Sequence, residues 1–269
     1  MNLFKIAATL LILAISAQAY AVEESVKKVT SRGVVQKFIL TKPDGAPKAS
    51  LVLLAGGHGK LSLGSFFGAV SVGWGQDNFV VRTRKNYAKK GFLVATVDAP
   101  ADKSSMNAIW RMSDDHAKDI AVVVGYLKQL ADVPVWIIGT SMGSFSAANI
   151  GIRLNAEISG VVFTSSITRS SPKWAIYYNH PNGVMDMALS KITVPVLVVS
   201  HKDDGCTLTP AADITKLAGK FTASKKVEET VFSGGHDSGQ NPCYARTHHG
   251  FLGIEKKVVK KISLFIQSN

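Results

Sequence analysis

The sequence predicts an α/β domain, a mostly parallel sheet flanked by helices on both faces. Two observations predict it. From residue 50 onward, apolar stretches of strand length alternate with stretches of helix length, the order that builds a parallel sheet. One of these apolar stretches runs straight into a glycine-bounded turn followed by a small-residue helix.

The elements follow in chain order. Residues 50–55 form an apolar strand that ends in Gly56-Gly57-His58-Gly59. A loop to about residue 77 precedes a helix over 79–90, which Gly91 stops. Residues 92–97 are the next strand. Ser113 is placed to cap a long helix to residue 130, with Asp114 and Asp115 in its first turn. Residues 133–138 are a buried strand, leading into Gly139-Thr140-Ser141-Met142-Gly143 and a helix-compatible run from Ser144. Strands over 160–164, 194–200 and 227–232 complete the sheet, with a helix opening at Thr209-Pro210 between the last two. The span 253–266 closes the chain as an amphipathic helix, with Ile254, Val258, Val259, Ile262 and Phe265 on one face.

Residues 1–19 read as a secretory signal peptide outside the fold. Lys5 precedes an apolar run, and Ala17-Gln18-Ala19 and Ala19-Tyr20-Ala21 offer cleavage after Ala19 or Ala21. No stretch approaches the ~20 apolar residues of a spanning helix. The remainder, 20–269, suits one domain with a substantial core. The expected location is periplasmic or secreted. A formal net charge of +12 carries no nucleic-acid reader motif with it, so nucleic acid is not an expected partner. Weak attraction to anionic envelope surfaces is the expected use of the charge. Cys206 and Cys243 are the only cysteines, and in an oxidising compartment they are expected to be bonded.

G-x-S-x-G at a strand-to-helix junction is a nucleophile elbow, in which both flanking positions must lack bulk and Ser141 Oγ stands above the sheet edge. A serine nucleophile needs a base to take its proton and an acid to hold the base. In this architecture they follow in the order Ser, Asp, His, on loops at strand carboxyl ends. The acid candidates are Asp204 and its neighbour Asp203, in His201-Lys202-Asp203-Asp204-Gly205-Cys206; Asp204 is preferred. Asp98 precedes the serine and reads as a loop-fixing residue. The base candidates are His249, preferred, then His236, with His248 third. A Cys206–Cys243 bond would tie the acid loop to the histidine loop.

The backbone N–H of Met142 and one from His58 or Gly57 are the expected oxyanion donors, with His58 the choice. His116, on the solvated first turn of its helix, and His180 read as structural. Trp174, Tyr177 and Tyr178 lie where a small cap would sit, available to shape an acyl pocket. No metal-ligand spacing occurs and no cofactor is expected.

Together the elbow at Ser141, the glycine-rich turn at 56–59, the later acid and the histidine before the last helix resemble the α/β-hydrolase superfamily over residues 33–267. More narrowly, the chain is similar to a group of exported bacterial α/β-hydrolases. The similarity rests on Asn78-Phe79-Val80-Val81-Arg82-Thr83-Arg84, on the acid loop 201–206, and on His249-Gly250-Phe251-Leu252-Gly253-Ile254-Glu255. The resemblance implies a minimal-cap α/β-hydrolase fold and hydrolysis of a small or medium acyl compound, most naturally a carboxylic ester. It supports Asp204 and His249. A peptidase or amidase of the same fold, or a binding module that has lost its chemistry, are the alternatives.

Overall fold

Eight strands form one sheet in the order β1-β2-β6-β3-β7-β8-β9-β10 in the computed structural model, which describes residues 22–269. The signal-peptide reading lies outside those residues. Strands β3 (Ala49–Leu54), β6 (Phe92–Val97), β7 (Val135–Thr140), β8 (Gly160–Thr164), β9 (Val196–His201) and β10 (Val227–Phe232) are parallel. At one edge β1 (Glu24–Ser31) and β2 (Val34–Thr41) add antiparallel strands. Strands β3 and β7 to β9 are buried along their length, as strands covered on both faces must be.

The helices divide between the faces. Helices α1 (Phe79–Ala88) and α6 (Glu255–Gln267) pack Phe79, Val80, Val258, Val259, Ile262 and Phe265 on one face. Helices α3 (Asp114–Leu130), α4 (Gly143–Arg153) and α5 (Ile214–Ala218) place Ile120, Val123, Leu127, Phe145, Ile150 and Leu217 on the other. The single turn α2 (Ala108–Arg111) leads into α3. Trp136, 1% exposed, lies against Gly160, where any side chain would meet its ring at 2.1 Å. Burying such a ring contributes roughly 1.5–3 kcal/mol, and Gly160 is what makes room for it.

Ser113 caps α3 as expected, its hydroxyl accepting from His116 N at 3.1 Å. His116 is not solvated, however: it is 2% exposed, and its Nε2 meets Ser146 Oγ at 2.8 Å. The first turn of α3 turns this side chain toward α4 while Asp114 and Asp115 face outward. Asp98 acts as a loop fixer, its carboxylate accepting from the N–H groups of Leu61, Leu63 and Ala99 at 2.5–2.9 Å.

Two hairpins enter where the sequence reading placed no strand. β1 and β2 join through Arg32 and Gly33, both at positive φ (53° and 76°), the geometry that matches strand twist in a two-residue turn. Arg32 then clamps the buried Asp119 of α3 with two bonds of 2.9 and 2.8 Å. The loop before α1 holds the second hairpin, β4 (Leu63–Phe66) with β5 (Ala69–Val72). Between β8 and β9 only short helical turns occur, at Gly183–Asp186 and Leu189–Lys191, so the cap is small.

Candidate active site

The parallel strands end on one side of the sheet, and the turns following β3, β7, β8 and β9 converge there, where an open parallel sheet places its ligands. Ser141 follows β7 at φ +52°, the left-handed region, which a non-glycine residue occupies only when its surroundings impose it. The two glycines of the turn impose it. A Cβ at Gly139 would stand 2.3 Å from the carbonyl oxygen of Gly143, and one at Gly143 would stand 2.2 Å from that of Leu54. Helix α4 begins immediately, so the N–H of Met142 lies at its positive end.

Asp204 and His249 meet. Asp204 Oδ2 lies 3.0 Å from His249 Nδ1, and Oδ1 accepts from the N–H of Cys206 at 3.0 Å. Thr209 donates to the same Oδ2 at 2.9 Å and lies 3.1 Å from His249 Nδ1. With the carboxylate as acceptor, Nδ1 carries the ring proton and Nε2 is left as the basic nitrogen. Asp203 is exposed and only its backbone N–H is engaged, with His201 Nδ1 at 3.0 Å. His236 is exposed beside Gly253, and His248 stacks on His201 with ring centroids 4.6 Å apart.

The loop carrying His249 is held from three sides. Ser165, at the end of β8, donates to the His249 carbonyl at 2.7 Å. Arg82 of α1 donates to the carbonyls of Gly250 and Ala245 and pairs with Glu255 at 3.0 Å. Cys243 is bonded to Cys206, closing the loop onto the acid turn. The similarity segments at 78–84 and 249–255 are therefore in direct contact through Arg82.

Ser141, Met142, Gly57 and His249 share one cavity of about 580 Å³. Among the described residues no hydrogen bond joins Ser141 Oγ to His249; the two are related by that common wall. Trp74, Phe79, Trp174 and Tyr244 give the cavity aromatic sides. Of the three cap aromatics only Trp174 lines it, and Tyr178 is 92% exposed. The second expected donor belongs to the turn after β3. Gly56 packs against Ser141, where a Cβ would be 2.9 Å from that of the serine, and Gly57 lines the cavity. The His58 ring stacks on Trp74, centroids 3.6 Å apart, and of the two donor candidates Gly57 is the one that lines the cavity.

Behind this turn lies a group the sequence reading missed. Arg111 is fully buried, and donates to Gly57 O at 3.2 Å, Met106 O at 3.1 Å and Ser146 Oγ at 3.0 Å. Its three acceptors are neutral, and burial pushes its pKa down to about 9. Arg111, Thr209 and Ser165 carry no motif that announces them, and the segment 78–84 names Arg82 without saying what it touches. The role of each is found only by what the folded chain puts beside it.

No family model matches the chain, and no curated protein matches it in sequence. Solved structures match its fold. The chain is similar to a carboxyl esterase from Bacillus coagulans, at 14% identity and TM-score 0.61, over 92% of this chain and 99% of that one. It is similar to Est1E from Butyrivibrio proteoclasticus, at 14% identity and TM-score 0.60, over 91% and 98%. It is also similar to Est816, described as an N-acyl homoserine lactone degrading enzyme, at 16% identity and TM-score 0.59, over 89% and 100%. These likenesses, with the sheet order and helix layers, give the chain the α/β-hydrolase fold.

Proposed function

We propose that the chain is an exported serine hydrolase that cleaves a small or medium acyl substrate, a carboxylic ester by preference. One observation carries the reading. A serine held at positive φ at the head of a helix shares a cavity with a histidine whose Nδ1 is bonded to a buried carboxylate. In this reading Ser141 Oγ attacks the substrate carbonyl as His249 Nε2 takes its proton. The oxyanion is held by the N–H groups of Met142 and Gly57, and the buried charge of Arg111 behind Gly57 favours it further. His249 then protonates the departing alcohol, leaving an acyl group on Ser141. Water, deprotonated by the same nitrogen, attacks that group, releases the acid and restores the serine. Asp204 keeps the imidazole in the required tautomer throughout.

The preference for an ester is supported by the fold neighbours, among them a carboxyl esterase. Export is supported by the leader pattern at residues 1–19 and by the cysteine pair. The test is a panel of p-nitrophenyl esters of graded acyl length beside the matching anilides, with purified protein lacking the leader. Ester turnover that Ser141→Ala removes supports the proposal. Anilide turnover without ester turnover would make the protein an amidase, and no turnover with no fluorophosphonate labelling would make it a binding module.

A further inference from the structure

The β4–β5 hairpin carries an aromatic pair that the fold does not use. Phe66 is 74% exposed and Phe67 95%, their rings 4.4 Å apart and roughly edge to face. They occupy the tip, where Phe67 and Gly68 make the two-residue turn at φ +46° and +81°. Such a turn favours Asn, Asp or Gly at its first position, because a side chain in the left-handed region is strained. A bulky apolar residue there works against local conformation and gains no packing in return. What it does is present two rings to the surroundings.

The hairpin is anchored at its other end. Leu61 and Leu63 are buried, and the Leu61 carbonyl accepts from the N–H groups of Gly73 and Trp74 at 2.9 and 3.1 Å. Val70 and Val72 pack with Val26 of β1 against the core. The tip is thus held out on a fixed base. From Leu61 to Gln76 no residue is charged; Lys60 precedes this stretch, and Asp77, which pairs with Arg246 at 3.5 Å, follows it. Lys28 and Lys37 stand directly opposite one another in β1 and β2, and Lys37 Nζ reaches the Leu63 carbonyl at 3.2 Å. Lys60 immediately precedes Leu61, and its Nζ donates to the Lys103 carbonyl at 3.2 Å. Asp98 is engaged by backbone N–H groups, Glu24 by Arg84 and Lys85, and Asp77 by Arg246.

We propose that this hairpin docks the protein on an anionic lipid surface, with Phe66 and Phe67 entering the headgroup–acyl boundary and Lys28, Lys37 and Lys60 meeting the headgroups. An apolar wedge with a basic rim is the composition such peripheral binding takes, since apolar burial and attraction to anionic lipid add. Among the described residues no helix is long and apolar enough to cross a membrane. The formal net charge of +12 acts in the same direction at longer range.

The test is co-sedimentation with phosphatidylcholine vesicles prepared with and without phosphatidylglycerol. The protein is the chain without its leader, beside the double variant Phe66→Ser, Phe67→Ser and the single variant Lys28→Glu. Because both phenylalanines are exposed, the double variant keeps its thermal unfolding curve and its ester turnover in lipid-free buffer. The expected result is binding to the phosphatidylglycerol vesicles that weakens about tenfold or more in the double variant and measurably in Lys28→Glu. Three results would overturn the proposal: no binding by the parent protein, undiminished binding by the double variant, or equal binding to vesicles without phosphatidylglycerol. So would a parent dimer, seen by sedimentation velocity, that the double variant dissolves, since the hairpin would then be occupied by a second copy.

Discussion

Asp204 Oδ2 stands 3.0 Å from His249 Nδ1 across 45 residues of chain, and their side chains are 0% and 5% exposed. A carboxyl group withdrawn this far from water needs hydrogen-bond partners for its oxygens. Asp204 has them from the Cys206 N–H and the Thr209 hydroxyl as well as from the imidazole. Replacing it by Asn keeps the shape and alters the tautomer it enforces. Asp204→Asn is expected to lower ester turnover by about 10⁴, while Asp203→Asn, whose carboxylate is exposed, stays near wild type. Steady-state kinetics of the two variants check this, and the reverse ranking would move the acid by one position.

Thr209 is the second expectation. It donates to the Asp204 carboxylate and touches the imidazole nitrogen. A hydrogen bond to a charged group is worth about 1.5–3 kcal/mol, so Thr209→Val should reduce kcat roughly tenfold to a hundredfold. KM should change little, and Thr209→Ser should restore most of the loss. A KM effect with kcat intact would make Thr209 a wall residue and no more.

The central parallel strands are legible in the sequence because a strand buried on both faces is apolar along its whole length, as residues 160–164 illustrate; residues 227–232, at the sheet edge, are mixed. The first is fully buried; the second is an edge strand that still carries Val, Thr and Phe. The β1–β2 hairpin is not legible. Lys27-Lys28 and Gln36-Lys37 interrupt the apolar pattern, and Gln36 is buried only because its amide reaches the Asp98 carbonyl at 2.7 Å. In the site, Ser141 announces itself through its two glycines. Thr209 and Arg111 do not, since His249, which Thr209 meets, and Gly57 and Ser146, which Arg111 meets, lie 35–54 residues away in the chain. His116 is misread for a related reason: a first-turn position predicts exposure only when no neighbouring helix covers it.

The Cys206–Cys243 bond supplies a third expectation. It joins residues 37 apart, and in the loop-entropy model that contributes about 3–4 kcal/mol. Cys243→Ser should lower Tm on the order of 10 °C. It should also lower turnover at temperatures where the domain remains folded, because the loop carrying His249 loses its tie to the acid turn. Unchanged turnover would leave the bond a purely stabilising role.

His116 sets a pH dependence of stability. Burial, reinforced by the charges of Arg111 and Arg32, holds its pKa down to about 3 from 6.5. The folded ring stays neutral while the unfolded ring takes a proton below about pH 6.5. The unfolded state therefore binds more protons, and stability falls as pH falls through that window. The expected loss is about 2–3 kcal/mol between pH 6.5 and 4.5. Urea unfolding across that range should show a smaller loss in His116→Gln than in the parent; equal slopes would assign the loss to other groups.

The most direct measurement is the mass of the intact protein after treatment with a fluorophosphonate, followed by peptide mapping. The adduct is expected on the peptide containing Ser141, absent in Ser141→Ala, and formed far more slowly in His249→Ala than in His236→Ala. An adduct on another residue, or full ester turnover in a folded Ser141→Ala protein, would contradict the account.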